Sequence, residues 1–376
     1  MTKKEALERL CYVSDHISEC VDTQKKAGKK IVGVLPVYAP VELVHAAGLF
    51  PVGCWGGEVT LMHAQRFLPP FGCSIMQSVI EMAARGDYKN LDAFLISTPC
   101  DTLRCNGQNL KSAAPEIKAL YCIAPTNSKS EAGVTYYKKE LRRLCSKLEE
   151  LGGSALSNKA INESIALYNE NRLVLQEFSD LTGKYPGAVS AVERHAVLRS
   201  RLYMDIQEHT EIVKVINEEI RKHGAQEVDT DKKKLFLAGI TAEPGWFLEI
   251  LDDLGYAVVG DELAQEWRQI ATLVPPGLDP LERIARQHQN RSACSLILDG
   301  TKSRSHFIAE RAKGLRADGV LYCQMKFCDP EEQDFPSVRN AVTAAGIPIL
   351  NIEIDQNTRA EEQCLTRLQT FLDILR

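Results

Sequence analysis

Short apolar runs of strand length alternate with amphipathic stretches along the first third of the chain. The apolar runs occupy residues 30–35, 49–53, 91–96 and 117–123. The stretch at 40–48 begins with proline and ends with glycine, residues that commonly open and close helices. Regular alternation of strands with helices predicts a parallel sheet with helices on both faces.

The middle of the chain has a different pattern. Between residues 136 and 225, apolar positions recur at helical spacing and are separated by many lysine, glutamate and arginine residues. Breaks near Gly152 and at 184–187 predict about three helices. We interpret this region as a solvated helical segment that joins two sheet domains, and a partner-binding role stays open as an alternative.

The last third returns to alternation of strands and helices. Its apolar runs lie at 234–240, 256–259, 319–323 and 347–352. Residues 295–298 fit either a short strand or the extension of a helix. We therefore predict an α/β fold class with two flavodoxin-like parallel-sheet domains, an N-terminal domain at 1–135, a helical connecting segment at 136–232 and a C-terminal domain at 233–376.

Composition and charge exclude several classes of function. The 376 residues carry a net charge of −5, which provides no basic surface for nucleic acid. No apolar run approaches transmembrane length, and the charged start of the chain lacks the apolar core of a signal peptide. We therefore expect a cytoplasmic protein that binds neither nucleic acid nor a membrane.

Three of the twelve cysteines lie where ligands bind in parallel α/β sheets. Cys100 and Cys328 follow predicted strands within a few residues, and Cys73 precedes a predicted helix that begins near Ser74. The carboxyl ends of the strands form the binding edge of such sheets, and the start of a helix favours a thiolate. This pattern points to a metal or iron–sulfur site between the two domains.

Other interpretations of these cysteines stay open at this point. Three thiolates also suit a zinc ion, although no pair of cysteines has the short spacing of a zinc finger. Three unrelated buried cysteines are a further alternative, because most reduced cysteines are small apolar core residues. Three more cysteines lie close enough in the predicted fold to compete as ligands: Cys54, Cys105 and Cys323.

Short motifs along nearly the whole chain resemble those of the benzoyl-CoA reductase/2-hydroxyacyl-CoA dehydratase family. They are Pro-Val-Glu-Leu-Val-His-Ala-Ala-Gly at 40–48, Cys-Ser-Ile-Met-Gln at 73–77, Ser-Thr-Pro-Cys-Asp at 97–101 and Lys-Phe-Cys-Asp-Pro at 326–330. The resemblance implies a [4Fe–4S] cluster held by Cys73, Cys100 and Cys328 in the cleft between two flavodoxin-like domains.

The same resemblance implies the partners of the chain. They are a homologous second cluster subunit, which forms a heterodimer, a separate ATP-hydrolysing iron–sulfur activator that delivers electrons of very low potential, and an acyl-CoA substrate. The chain itself has no Gly-x-x-x-x-Gly-Lys-Ser/Thr loop for ATP, in agreement with a separate ATPase.

Three further residues are candidates for contacts with substrate or cluster. Tyr38 and Ser74 lie near the predicted cleft, and His45 is a candidate proton donor on the helical face that also carries Glu42. The segment at 67–77 favours a benzoyl-CoA reductase subunit that dearomatises an aromatic acyl-CoA. The alternatives are a 2-hydroxyacyl-CoA dehydratase subunit and a double-cubane iron–sulfur electron-transfer protein.

Overall fold

Two four-stranded, fully parallel sheets form the framework of the molecule. The computed structural model describes residues 1–152, 155–226, 228 and 231–375. The first sheet contains β1 (Ile31–Val34), β2 (Phe50–Gly53), β3 (Ala93–Ser97) and β4 (Lys118–Cys122). The second contains β5 (Lys233–Gly239), β6 (Tyr256–Leu263), β7 (Gly319–Met325) and β8 (Ile349–Ile354).

Both sheets have the same strand order, in which the first strand lies between the second and the third. The order is β2-β1-β3-β4 in one sheet and β6-β5-β7-β8 in the other. This is the doubly wound arrangement of flavodoxin-like domains, with a topological switch point between the first and third strands. The predicted fold class of two flavodoxin-like parallel sheets is confirmed.

Helices surround each sheet, and their starts and ends follow local sequence signals. A capping box of Thr2 and Glu5 opens the first helix, and Gly86, at a φ of 82°, closes the fourth in the left-handed conformation that glycine allows. The helices of the first third are α1 (Lys3–Asp15), α2 (Ile17–Lys26), α3 (Val41–Ala46), α4 (Ser74–Arg85) and α5 (Asp101–Ala113). A short 3-10 helix spans Ala64–Arg66.

The middle region contains four α-helices among its described residues, one more than predicted. They are α6 (Glu131–Gly152), α7 (Asn158–Lys184), α8 (Ala191–Ser200) and α9 (Ile206–His223), followed by a 3-10 helix at Gly224–Gln226. The additional helix, α8, has its own capping box of Ser190 and Glu193. The boundary that was not predicted lies between α8 and α9, where the Asp205 carboxylate accepts hydrogen bonds from the backbone N–H groups of Gln207 and Glu208 and so begins a new helix.

In the last third, as in the first, helices connect the successive parallel strands. They are α10 (Gly245–Asp253), α11 (Trp267–Ile270), α12 (Pro280–Asn290), α13 (Ser303–Gly314), α14 (Asp329–Ala344) and α15 (Glu361–Ile374). In the described part of the chain, no helix is long and apolar enough to cross a membrane.

The middle helices pack against elements of both sheets. Helix α7 contacts α3 beside the first sheet and β6 in the second, and α6 packs against α12. The N-terminal helix α1 lies on α8 and α9. The division at 1–135, 136–232 and 233–376 stays a prediction, because these contacts join all three parts into one packed unit.

Residues 292–302 form neither a strand nor an extension of α12. The Asp299 carboxylate accepts hydrogen bonds from the backbone N–H groups of Thr301 and Ser303, each at 2.9 Å, and so closes a tight turn before α13. An aspartate that bonds to amides two and four residues ahead stabilises a turn at the expense of regular structure. The apolar residues 296–298 alone did not reveal this turn.

Candidate metal centre

Each of the three predicted ligands occupies the N-cap position of a helix. Cys73 precedes α4, Cys100 precedes α5 and Cys328 precedes α14. Cys100 follows β3, and Cys328 follows β7, so both lie at the carboxyl edge of a sheet. The first turn of a helix presents free backbone N–H groups, which favour a negatively charged sulfur atom.

The structure brings these three cysteines together at one cavity. The cavity has a volume of about 490 Å³ and lies between the carboxyl edges of the two sheets. Its walls include Cys73 and the Pro99–Thr102 segment from the first third of the chain, and the Phe327–Pro330 segment from the last third. Both sheets must therefore be folded and in contact for the cavity to carry all three thiols.

The electrostatic environment of these thiols opposes three negative charges in the absence of a cation. Burial raises the pKa of Cys73 to about 12, and it also raises the pKa of Cys100 and Cys328. The carboxylate of Glu331 and, to a smaller extent, the other two thiols raise the pKa of Cys328 further, while backbone N–H groups of the following helical turns act in the opposite direction on all three. Positively charged iron would supply the missing compensation, because metal binding replaces thiol protons.

Thiolate ligands of a single metal ion and of a cluster differ in how far apart they lie. In the described part of the chain, no group of three or more His, Cys, Asp or Glu side chains lies close enough to hold one metal ion. A zinc ion needs all of its sulfur ligands at about 2.3 Å. In a cluster each thiolate binds a different iron, so its ligands are spread around a larger body.

A buried network of charged residues supports the Cys328 side of the cavity. Glu331, in the first turn of α14, accepts hydrogen bonds from Arg304 at 2.8 Å, Arg268 at 3.2 Å and Ser295 at 2.5 Å. Both arginines also bind Glu262 at the end of β6. Burial alone would raise the pKa of Glu331, but Arg304 and Arg268 lower it to about 2, so the carboxylate is ionised.

Phe327 gives the backbone before Cys328 an unusual conformation. Its φ of 60° lies in the left-handed region, which a bulky residue rarely adopts. Lys326 lies near the carboxylates of Asp355, at 3.3 Å, and Glu353, at 3.6 Å. The strained turn directs the chain from β7 into α14 and fixes the position of Cys328 at the rim of the cavity.

Among the three weaker candidates, Ser74 lies next to the predicted centre. Its hydroxyl accepts a hydrogen bond from the backbone N–H of Gln356 at 3.3 Å and contacts the sulfur of Met325 at 2.9 Å. Ser74 thus joins the start of α4 to the ends of β7 and β8, and it is buried between them. This contact supports the position of Cys73.

Tyr38 and His45 lie elsewhere. Neither is among the residues that line the cavity. Tyr38 donates a hydrogen bond to the sulfur of Cys294 at 3.0 Å, directly behind the cavity wall. His45 bonds to Ser164 of α7 at 3.0 Å, and burial lowers the pKa of its imidazole. Their proposed contacts with substrate or cluster stay predictions.

Cys54, Cys105 and Cys323, the three cysteines that could compete as ligands, do not line the cavity. Cys54 is buried after β2, and Cys323 is buried within β7. Cys105 is exposed one turn into α5.

A fourth cysteine in the cavity wall was not predicted. Cys294 lies in the irregular segment before α13 and accepts hydrogen bonds from Tyr38 and from the backbone N–H of Leu296 at 3.4 Å. The guanidinium of Arg268 lies 3.7 Å from the same sulfur atom. Cys294 does not follow a strand, and the only sequence signal for it is the turn-rich composition of residues 291–303.

Comparison with known proteins identifies related sequences over nearly the whole chain. A family model described as "2-hydroxyglutaryl-CoA dehydratase, D-component" matches residues 36–375. The chain is 38% identical to the (R)-phenyllactyl-CoA dehydratase beta subunit of Clostridium sporogenes, over 93% of each sequence. It is 39% identical to the beta subunit of lactoyl-CoA dehydratase from Anaerotignum propionicum, over the full length of both.

Similarity to the reductase branch is lower. The chain is 25% identical to one of the subunits of benzoyl-CoA reductase from Thauera aromatica, over 93% of the chain and 91% of the relative. The predicted resemblance to this group of acyl-CoA enzymes is confirmed. The identities favour the dehydratase alternative over the reductase that segment 67–77 suggested.

Proposed function

The chain belongs to the 2-hydroxyglutaryl-CoA dehydratase D-component family, and on that premise we propose that it is the beta-type subunit of a 2-hydroxyacyl-CoA dehydratase. Such an enzyme removes water from a 2-hydroxyacyl thioester of CoA. The observation that carries the proposal is the convergence of Cys73, Cys100 and Cys328 from two sheets on one cavity. Three thiolates at a sheet edge are suited to an iron–sulfur cluster.

The residues of this chain bind and position the cluster. Cys73 and Cys100 come from the first sheet domain, and Cys328 comes from the second. Their burial limits contact with water, and the helix starts favour the thiolate form. A [4Fe–4S] cluster held by three cysteines supplies single electrons at low potential and has one iron without a cysteine ligand.

The proposal includes two protein partners. The relatives are named as beta subunits, and a beta subunit acts together with at least one other subunit. We propose a homologous second cluster subunit and a separate ATP-hydrolysing iron–sulfur activator. This chain lacks a phosphate loop for ATP, so hydrolysis is assigned to the activator.

Turnover by the reconstituted complex tests the proposal. The chain, its second subunit, the activator and ATP are combined without oxygen and supplied with phenyllactyl-CoA, lactoyl-CoA or benzoyl-CoA. We expect a 2-hydroxyacyl-CoA to lose water and benzoyl-CoA to persist. Reduction of benzoyl-CoA alone would select the reductase, and consumption of none of the three would reject an enzyme of either kind.

A further inference from the structure

A small cavity with three buried arginines lies where β1 and β2 end, against α7. It has a volume of about 40 Å³, and we call it the arginine cavity after Arg172, Arg201 and Arg291 in its wall. Each of these side chains is less than a tenth exposed. The ring of Tyr38 separates this cavity from that of the three cysteines, because Tyr38 lines the former and bonds to Cys294 in the wall of the latter.

The charges around the arginine cavity do not balance. Arg172 forms an ion pair with Glu42 of α3, which is also buried. Among residues 1–152, 155–226, 228 and 231–375, neither Arg201 nor Arg291 forms an ion pair with a carboxylate. Three guanidinium groups therefore share one carboxylate. A buried charge without a partner costs free energy, so the cavity favours an anion.

Hydrogen bonding of the two unpaired arginines is also incomplete. Arg201 donates a hydrogen bond of 3.4 Å from Nε to the side-chain oxygen of Asn171. Arg291 donates two bonds, each of 3.4 Å, to the side-chain oxygen of Gln287 and to Nδ1 of His288. A guanidinium group carries five N–H donors, and all three of these bonds are long and made to neutral acceptors.

Two further donors in the wall of the cavity have no hydrogen-bond partner within the described structure. They are the buried Nε atoms of Arg172 and Arg291. Burial and the neighbouring charge of Arg172 lower the pKa of Arg201 to about 10, and burial lowers the pKa of Arg291. A guanidinium with a pKa of about 10 is still protonated at neutral pH, so its charge requires compensation.

The volume of the cavity limits the size of the anion. A water molecule needs roughly 10–15 Å³ of such space, so about three atoms of that size fit. Formate and chloride meet this limit, whereas sulfate and phosphate, each with five non-hydrogen atoms, exceed it. A guanidinium group also binds a planar carboxylate through paired hydrogen bonds, which favours formate or a similar small carboxylate.

We propose that the arginine cavity binds one small monovalent anion, of the size of formate or chloride, between Arg201 and Arg291. The guanidinium of Arg291 lies 4.2 Å from the centre of the Tyr38 ring. The anion therefore stabilises the layer that carries Cys294 and backs the metal centre. This role is separate from the removal of water from an acyl-CoA and does not depend on it.

Equilibrium dialysis of the anaerobically purified full-length chain against radiolabelled formate tests the proposal. Sodium gluconate, whose anion is too large for the cavity, keeps the ionic strength constant. We expect about one formate per chain, displaced by chloride but not by sulfate. Formate should also raise Tm by at least ~2 °C in a saturable manner, because a ligand that binds only the folded chain stabilises it by mass action.

Arg201→Met separates an anion site from a merely structural arginine. It should weaken formate binding at least ~10-fold and remove the effect of formate on Tm. In gluconate alone its Tm should be no lower than that of the unmodified chain, because methionine removes an uncompensated buried charge. Arg201→Lys keeps the charge and should retain a weakened response to formate. Arg142→Gln, at an exposed arginine on α6, is the control and should respond as the unmodified chain does.

Three results would overturn the proposal. The first is the absence of formate and chloride binding to the unmodified chain. The second is formate binding that persists unchanged in Arg201→Met, which would locate the anion at an iron atom or on the surface. The third is an equal decrease of Tm in gluconate and in formate for Arg201→Met, which would show that Arg201 only packs.

Discussion

The two sheet domains have the same topology but contribute different chemistry at the same position. Cys100 follows the third strand of the first sheet, and Cys328 follows the third strand of the second. The helix before that strand begins after Cys73 in the first domain and after Lys302 in the second. Two thiols therefore come from one domain, while the other offers one thiol and a cation.

The environment of these positions differs as well. On the second sheet, Glu262 and Glu331 form a buried network with Arg268 and Arg304 directly behind Cys328. Cys73, Cys100 and Cys328 all pack against the main apolar core, so the ionic network is what distinguishes the Cys328 side. Equivalent loops of one fold can therefore carry different chemistry. The strand order determines the position of a loop residue, but it does not determine the identity of that residue.

The largest effect is expected from removing either of the equivalent cysteines. Cys100→Ser and Cys328→Ser should each reduce bound iron to less than about a tenth of the wild-type amount, because two remaining thiolates do not hold a cluster built for three. Iron and acid-labile sulfide are measured after anaerobic purification, and circular dichroism verifies that each variant is folded.

Cys105→Ser is the control for this comparison, because Cys105 is exposed on α5 and does not contact the cavity. It should retain the full iron content. Retention of the cluster in Cys328→Ser but not in Cys100→Ser would show that the two positions are not equivalent.

A large effect on stability is expected from the buried ionic network behind Cys328. Glu331→Gln leaves Arg268 and Arg304 without one of their carboxylates and should lower the free energy of unfolding by ~3–5 kcal/mol. Glu332→Gln, the exposed neighbour on α14, should change it by less than about 0.5 kcal/mol. Chemical denaturation of the metal-free chain measures both, and equal small effects would show that the network does not stabilise this domain.

One buried and one half-buried histidine, His195 and His45, should respond to pH in opposite ways. Burial alone would lower the pKa of His195, but the carboxylates of Glu243 and Glu266 raise it to about 9. Its stabilising charge is present below the unfolded pKa of about 6.5 and is lost as the pH rises through about 9, at a cost of ~3 kcal/mol. Near the first sheet, burial lowers the pKa of His45, so the folded state disfavours its protonation as the pH falls below about 6.5.

Stability measured from pH 6 to pH 9.5 should therefore decline on the alkaline side in the unmodified chain. His195→Gln should remove most of the decline between about pH 6.5 and pH 8, below the range in which unfolded cysteines titrate, whereas His45→Gln should leave that decline in place. An unchanged alkaline slope in His195→Gln would contradict the assignment of the proton to that imidazole.

The smallest effect is expected at the surface, where α6 meets α12. Lys138 pairs with Asp279 at 2.8 Å and with Glu282 at 3.1 Å in a partly exposed position. Lys138→Gln should lower the free energy of unfolding by less than about 1 kcal/mol, and 0.5 M salt should remove most of the difference. A decrease in the free energy of unfolding as large as that caused by Glu331→Gln would show that this ion pair contributes strongly to the contact between the two parts of the chain.

The sequence predicted those features that depend on local pattern. Buried parallel strands are short apolar runs, so β1 to β8 were foreseeable, and Cys100 and Cys328 were foreseeable because they follow such runs. The position of Cys294 depends on a turn held by Asp299 and on contacts with Tyr38 and Arg268 far along the chain. Such long-range contacts leave no periodic signal in the sequence.

The surroundings of the His45 side chain were likewise not predictable from local sequence pattern. Its helix was predicted correctly, but the direction of its side chain depends on the packing of α7, from which Ser164 reaches the imidazole.

Anaerobic iron and sulfide analysis of the purified chain, with electron paramagnetic resonance of the reduced protein, tests the central claim most directly. We predict about four irons and four sulfides per chain, together with the signal of a reduced [4Fe–4S] cluster. About eight irons would instead indicate a double cubane. Zinc alone, or no metal after anaerobic purification and reconstitution, would contradict the assignment of Cys73, Cys100 and Cys328 as cluster ligands.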